Sequence, residues 1–214
     1  MSALRRTEGA RFGRFLWLAA VLAVLVAFPP VHFRSTRVAD SAGPARVSPR
    51  AFAEAFWEKT LPGRRSGAIE ATELWRIVEQ DPKGASKLGH TSSIGGRPVF
   101  LVRGTATVAK LGEQGVVLDL GTHTTGATLL VSGPIFGNQL RDSTGLIRLQ
   151  DFDSFDFNAI SAELNRLAEE RVLPDLRKRA VIGARVVFFG AAEIDDASAE
   201  HAILRIVPIA VGWP

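Results

Sequence analysis

The sequence contains no cysteine. That excludes a disulfide, a thiolate metal site and a cysteine nucleophile, and it leaves no thiol to carry a lipid. It does not fix the compartment. Histidine is sparse too: His32, His90, His123 and His201 are scattered, with no i, i+4 pair among them, so no zinc site is expected. No Gly-Lys-Ser/Thr follows Gly95-Gly96 or Gly133, which removes a phosphate loop. Ser41, Ser92, Ser132 and Ser154 lack the setting of a nucleophile elbow. Internal repeats and low-complexity tracts are absent. The chain is therefore not read as an enzyme, and no cofactor is expected.

A surplus of charge is missing where it would matter. The 214 residues hold 26 Lys and Arg against 22 Asp and Glu. Residues 1–37 contribute six of those bases (Arg5, Arg6, Arg11, Arg14, Arg34 and Arg37) and only one acid, Glu8, which leaves 20 bases against 21 acids for residues 38–214. The basicity flanks an apolar run, and the remainder lacks the positive footprint that phosphate binding requires. No nucleic-acid partner is expected.

What is present begins with that run. Phe15 to Val31 carries no charge, and as a helix it would span roughly 26 Å at 1.5 Å per residue, near the lower limit for crossing a bilayer. Four arginines precede it, which favours a cytoplasmic N-terminus. A cleaved signal peptide is the rival, but Pro29-Pro30-Val31-His32-Phe33-Arg34 offers no small-x-small site close by. The expectation is a basic tail and uncleaved anchor over 1–37, a small, polar tether over 38–47 and an extracytoplasmic domain over 48–214.

Within that domain, Ser48-Pro49 suits a helix start, with Phe52, Phe56 and Trp57 on one face and Leu61-Pro62-Gly63 as the stop. Helices are expected over about 66–80 and, capped by Asp81-Pro82, over about 81–88. From residue 97 the period changes to that of strands: 98–109 with Gly104 marking a bulge or bend, 115–120, 127–132, 182–194 and 202–211, with Pro208 implying a partial edge. One helix over about 156–172 interrupts them, ended or kinked at Pro174. A helical preface (48–96) before β-β-β-α-β-β (97–214) makes the class α+β and is the order of an OB-like five-stranded barrel. An open α+β sandwich has the same order.

Gly133-Pro134, Gly137, Leu140-Arg141-Asp142, Gly145-Leu146-Ile147, Phe152, Phe155, Asn158, Leu164-Asn165, Ile182-Gly183, Gly190 and Ile206-Val207-Pro208 resemble a bacterial family of periplasmic lipoproteins of unknown function. The similarity covers about residues 50–210. It implies an extracytoplasmic, membrane-attached protein. Genes of that family are often found beside sugar ABC-transporter genes, which implies an accessory role in sugar uptake, with transporter components as partners. The departure is the missing cysteine: the apolar run would then do the anchoring.

The candidate site residues follow from the polar content of 137–165. Arg141 offers a planar fork of donors for carboxylates, phosphates or stacked rings. Asp142 could orient it or accept sugar hydroxyls, and Asn138 and Gln139 adjoin them. The same pair could instead pin the long connection to the barrel. Asp151, Asp153 and Asp156 alternate with Phe152, Phe155 and Phe157, a mixture that suits sugars and equally suits a helix N-terminus over a core. The segment lacks the Gly and terminal Glu of an EF-hand. Asn158 and Asn165 lie on one helical face, to hold a ligand or tie the fold together. The function expected is a non-catalytic binding or accessory module at the inner membrane. The rival is an envelope enzyme acting on a carbohydrate, with Asp142, Asp151 or Asp153 as its acids and bases.

Overall fold

The computed structural model describes residues 48–91, 96–122, 126–195 and 202–214. The expected anchor, Phe15 to Val31, and the 38–47 tether lie outside them. Among the described residues no helix is long and apolar enough to cross a membrane.

The chain enters on α1 (Pro49–Ala55), which Ser48 caps by accepting from the Ala51 amide at 3.1 Å. The expected stop at Leu61-Pro62-Gly63 does not occur. A π-helical stretch (Phe56–Thr60) leads straight into α2 (Leu61–Arg64). Pro62 falls at the start of α2, directly after the π-helical stretch. The next helix is shorter than the expected 66–80: residues 65–67 form a 3₁₀ turn, and β1 (Ile69–Glu70) pairs in parallel with Val102 and Arg103. Tertiary pairing here overrides local helical preference, and α3 runs only over Ala71–Gln80. Its exposed Glu73 accepts from Arg76, a bond that holds the Glu73 carboxyl below the usual range. Asp81 caps α4 (Pro82–Ser86) by accepting from the Gly84 amide at 2.9 Å.

The strands are β2 (Val99–Leu111), β3 (Gly115–Asp119), β4 (Ala127–Val131), β5 (Arg185–Asp195) and β6 (Ile203–Gly212). They pair in the order β2-β3-β4-β6-β5, and β5 returns to β2, which closes a five-stranded barrel with β1 added beside β2. The β4–β6 pair is parallel and the other barrel pairs are antiparallel. Closure removes the open sandwich and protects the edges. Gly104 is not the bulge. It pairs in regular register with Phe188, and a Cβ there would come within 2.8 Å of the Phe188 ring. The strand therefore needs Gly104 so that the ring can lie across it. The irregularity falls later, between Val108 and Lys110. Pro208 behaves as expected: β4 pairs with β6 only through Ile206, so among the described residues Pro208 has no strand partner on that side.

Between β4 and β5 stand α5 (Gln139–Asp142), α6 (Ser154–Arg171) and α7 (Leu173–Arg179). Pro174, in the first turn of α7, marks the kink. The α6 face of Phe157, Ile160, Leu164 and Leu167 is buried in one core with Phe100, Leu130, Phe188 and Phe189. Phe52 of α1 meets Phe152 edge-on, with ring centroids 5.1 Å apart, which joins the preface to the start of α6. The end of β6 is tied to α7: Trp213 Nε1 donates to Asp175 Oδ2 at 2.9 Å, and the Arg179 guanidinium lies 5.7 Å above the Trp213 ring. Trp213→Phe should keep the packing and lose that bond, at a cost of about 1 kcal/mol, read as a melting temperature roughly 2–4 °C lower.

Candidate functional site

The long connection from β4 to α6 is held by polar bonds. The Ile135 amide donates to Glu169 Oε1 at 2.7 Å, and Asn165 Nδ2 donates to the Gly137 carbonyl at 3.0 Å. Both acceptor and donor side chains come from α6, so that helix clamps the 133–137 stretch. Gly137 itself has φ +97°, a left-handed conformation that favours glycine.

Arg141 and Asp142 follow on α5, and both are buried, at 2% and 9% exposure. Adjacent residues on a short helix can still pair when the longer side chain folds back. Arg141 Nε donates to Asp142 Oδ1 at 2.7 Å and Nη2 to Oδ2 at 3.2 Å, the two-pronged geometry that guanidinium and carboxylate share. The guanidinium also stacks 3.7 Å above the Phe157 ring, and Nη1 donates to the Phe157 carbonyl at 3.4 Å. The fork lies within α5, and the stack and the bond to Phe157 fasten α5 to α6, so most of the Arg141 donors are spent internally.

The other sequence-chosen residues spread around this fastening. Asn138 is exposed at the start of α5 and makes no side-chain cap. Gln139 reaches Glu193 of β5, its Nε2 donating to Oε2 at 3.2 Å. Asn165 is buried and bound to Gly137, whereas Asn158, seven residues earlier, is exposed. Asp151 is exposed with Arg148 3.8 Å away. Phe155 is 81% exposed and so stands out from the core. Asp153 caps α6, accepting from the Asp156 amide at 2.8 Å. Arg141, Asp142, Gln139 and Asn165 thus lie in the seam where α5 and its flanks meet α6 and β5, whereas Phe155 and Asn158 are exposed.

A residue set aside in the sequence completes the concave part. His90 forms a β-bridge with Val99, and its ring lies against Gly145, where a Cβ would approach Nδ1 to 2.7 Å. Gly145, at φ +65°, has the left-handed backbone that brings 145–150 around this ring. On one side of His90 opens a cleft of about 480 Å³, lined by Asp142, Ile147, Arg148, Leu149 and Gln150 among others. His90 also lines a second hollow of about 330 Å³, with Arg64, Ser66, Ile69, Leu101 and Thr144. Spacing could not have pointed to His90, because 55 residues separate it from Gly145 and only the fold joins them.

Chemically the cleft offers one carboxylate, one imidazole, a guanidinium and an amide above two aliphatic walls. Asp142 Oδ1 and Oδ2 each accept one bond from Arg141. Donors, acceptors and apolar surface at this volume match the general make-up of small-molecule sites.

A family described as predicted periplasmic lipoproteins matches residues 21–212, and the chain belongs to it. It is accordingly a membrane-associated protein of the periplasm. The match takes in part of the apolar run. A crystal structure at 1.90 Å of an OB-fold protein from Thermotoga maritima is similar at 20% identity, with a TM-score of 0.66, over 79% of this chain and 99% of that one. That likeness agrees with the barrel order and shows the fold alone. None of the curated proteins matches.

Proposed function

We propose that this periplasmic protein is a non-catalytic accessory module, held at the outer face of the inner membrane by its 15–31 run, which offers the cleft beside His90 to a small polyhydroxylated solute for a sugar-uptake system. The observation that carries the reading is the lining of that cleft. Hydroxyl groups both donate and accept, and here Asp142, His90, Arg148 and Gln150 line one cleft, while Ile147 and Leu149 can cover an apolar ring face. Among the described residues the lining holds a single carboxylate, whereas most glycoside hydrolysis uses two that flank the bond, which favours binding over the enzymatic rival. Gene neighbourhood, implied by the family resemblance, supports the transporter as partner. With no cysteine to lipidate, the apolar run is the available anchor.

The test is a melting-temperature screen of the full chain in detergent against common monosaccharides and polyols, followed by titration. At least one should raise the melting temperature in proportion to the logarithm of its concentration. His90→Ala should weaken that binding about tenfold, the loss of one hydrogen bond of about 1.4 kcal/mol. A screen in which no polyhydroxylated compound shifts the transition would sink the solute reading. Co-purification without any transporter component would remove the uptake partner.

A further inference from the structure

The seam between α5 and α6 contains three buried side-chain oxygens that make no hydrogen bond among the described residues: Gln139 Oε1, Ser161 Oγ and Asn165 Oδ1. Ser161 and Asn165 are themselves more than nine-tenths buried. A buried polar atom without a partner costs about 1–3 kcal/mol, so three within one packed seam call for something that satisfies them.

Their placement is shared. Asn165 Nδ2 is 3.0 Å from the Gly137 carbonyl, so Oδ1 of the same amide lies beside that turn. Gln139 Oε1 lies against the same residue: a Cβ on Gly137 would be 2.9 Å from it. Ser161 precedes Asn165 by four residues on α6, so the two side chains are neighbours on one helical face.

Their chemistry then restricts the occupant. Both amides have fixed orientations. Gln139 must direct its NH₂ at the Glu193 carboxylate, and Asn165 must direct its NH₂ at the Gly137 carbonyl. Each is left with an oxygen, which can only accept. Ser161 supplies a hydroxyl that can donate. The set therefore wants a small group with two donors and one acceptor.

We propose that one water molecule is bound here as an integral part of the fold, donating to Gln139 Oε1 and Asn165 Oδ1 and accepting from Ser161 Oγ. Three bonds to otherwise unsatisfied groups are the usual complement of an internal water. A hard cation would also accept oxygen ligands, but these three oxygens are neutral, and it would leave the serine proton unused. The water links the 137–139 turn to α6, and through α5 it steadies Asp142 at the edge of the His90 cleft.

Two measurements test it together. A crystal structure with ordered solvent resolved should show one peak within hydrogen-bond distance of all three oxygens. Direct bonding between the side chains, an empty position, or a peak with six or more ligands at the distances of a metal ion would overturn the proposal. The second is a double-mutant cycle of Ser161→Ala and Gln139→Ala, followed by denaturant unfolding of the full chain in detergent. The Gln139 bond to Glu193 cancels in such a cycle, so any coupling reports the shared water. Each substitution should raise the unfolding constant several-fold, and the double variant should fall short of the product of the two by about fivefold. Effects that multiply to within about twofold are those of independent sites and would reject a shared molecule.

Discussion

Arg141→Met is expected to destabilise the domain by about 3–5 kcal/mol, a drop in melting temperature on the order of 10 °C. The size follows from what is left behind. Asp142 is 9% exposed and takes two of its bonds from the Arg141 fork. Methionine fills much of the volume beside Phe157 but supplies no donor, so a carboxylate remains in the interior with its main counter-charge gone. The double variant Arg141→Met with Asp142→Leu removes both charges and should recover most of the loss, because a buried ion pair contributes little net stability over apolar residues of similar shape. Arg141→Lys should fall between them: the charge survives, but the two-pronged geometry and the flat stack on Phe157 do not. Equal loss in the single and double variants would show that the stacking on Phe157, not the charge pair, fastens α5.

The same pair shows how far the sequence could be read. Arg141 and Asp142 stood out as adjacent opposite charges in a long connection, and both a ligand site and an internal fastening fitted. Only the fold decides which way adjacent side chains turn, and here the arginine folds back over Phe157, sixteen residues on. Elements with local chemistry were legible: Ser48 before Pro49, Asp81 before Pro82 and the β-branched runs of β2 to β6 each carry their own signal. Where a distant partner competes, the local signal misleads. Ile69 falls inside the helix expected over 66–80 but pairs with Val102 as β1. Gly104 reads as a bend yet serves Phe188. Asp151, Phe155 and Asn158 belong to one polar and aromatic stretch in the sequence, but the turn into α6 directs Phe155 and Asn158 outward, away from the seam. His90 is the converse case, a residue with no local signal that the fold places against Gly145.

Trp75→Ala should cost about 3–5 kcal/mol, comparable to the loss at Arg141 but by a different route. Trp75 is 1% exposed and anchors α3 to the barrel: Nε1 donates to Thr128 Oγ1 of β4 at 2.9 Å, and its ring lies against Gly126, where a Cβ would come within 2.2 Å. The contact spans 53 residues of chain, and removing the ring opens a cavity beneath α3. Trp75→Phe separates the two contributions. It keeps most of the apolar volume but leaves the Thr128 hydroxyl, 2% exposed, without its donor, at about 1–3 kcal/mol. Adding Thr128→Val to Trp75→Phe removes that orphan and should restore part of the stability. Gly126→Ala should remain costly even beside Trp75→Ala, because the added methyl would also sit 2.3 Å from the Ala202 carbonyl oxygen, and backbone cannot swing aside as a ring can. If Gly126→Ala became neutral once Trp75 was removed, the ring alone would set the requirement for glycine, and the approach of the backbone before β6 would carry no strain.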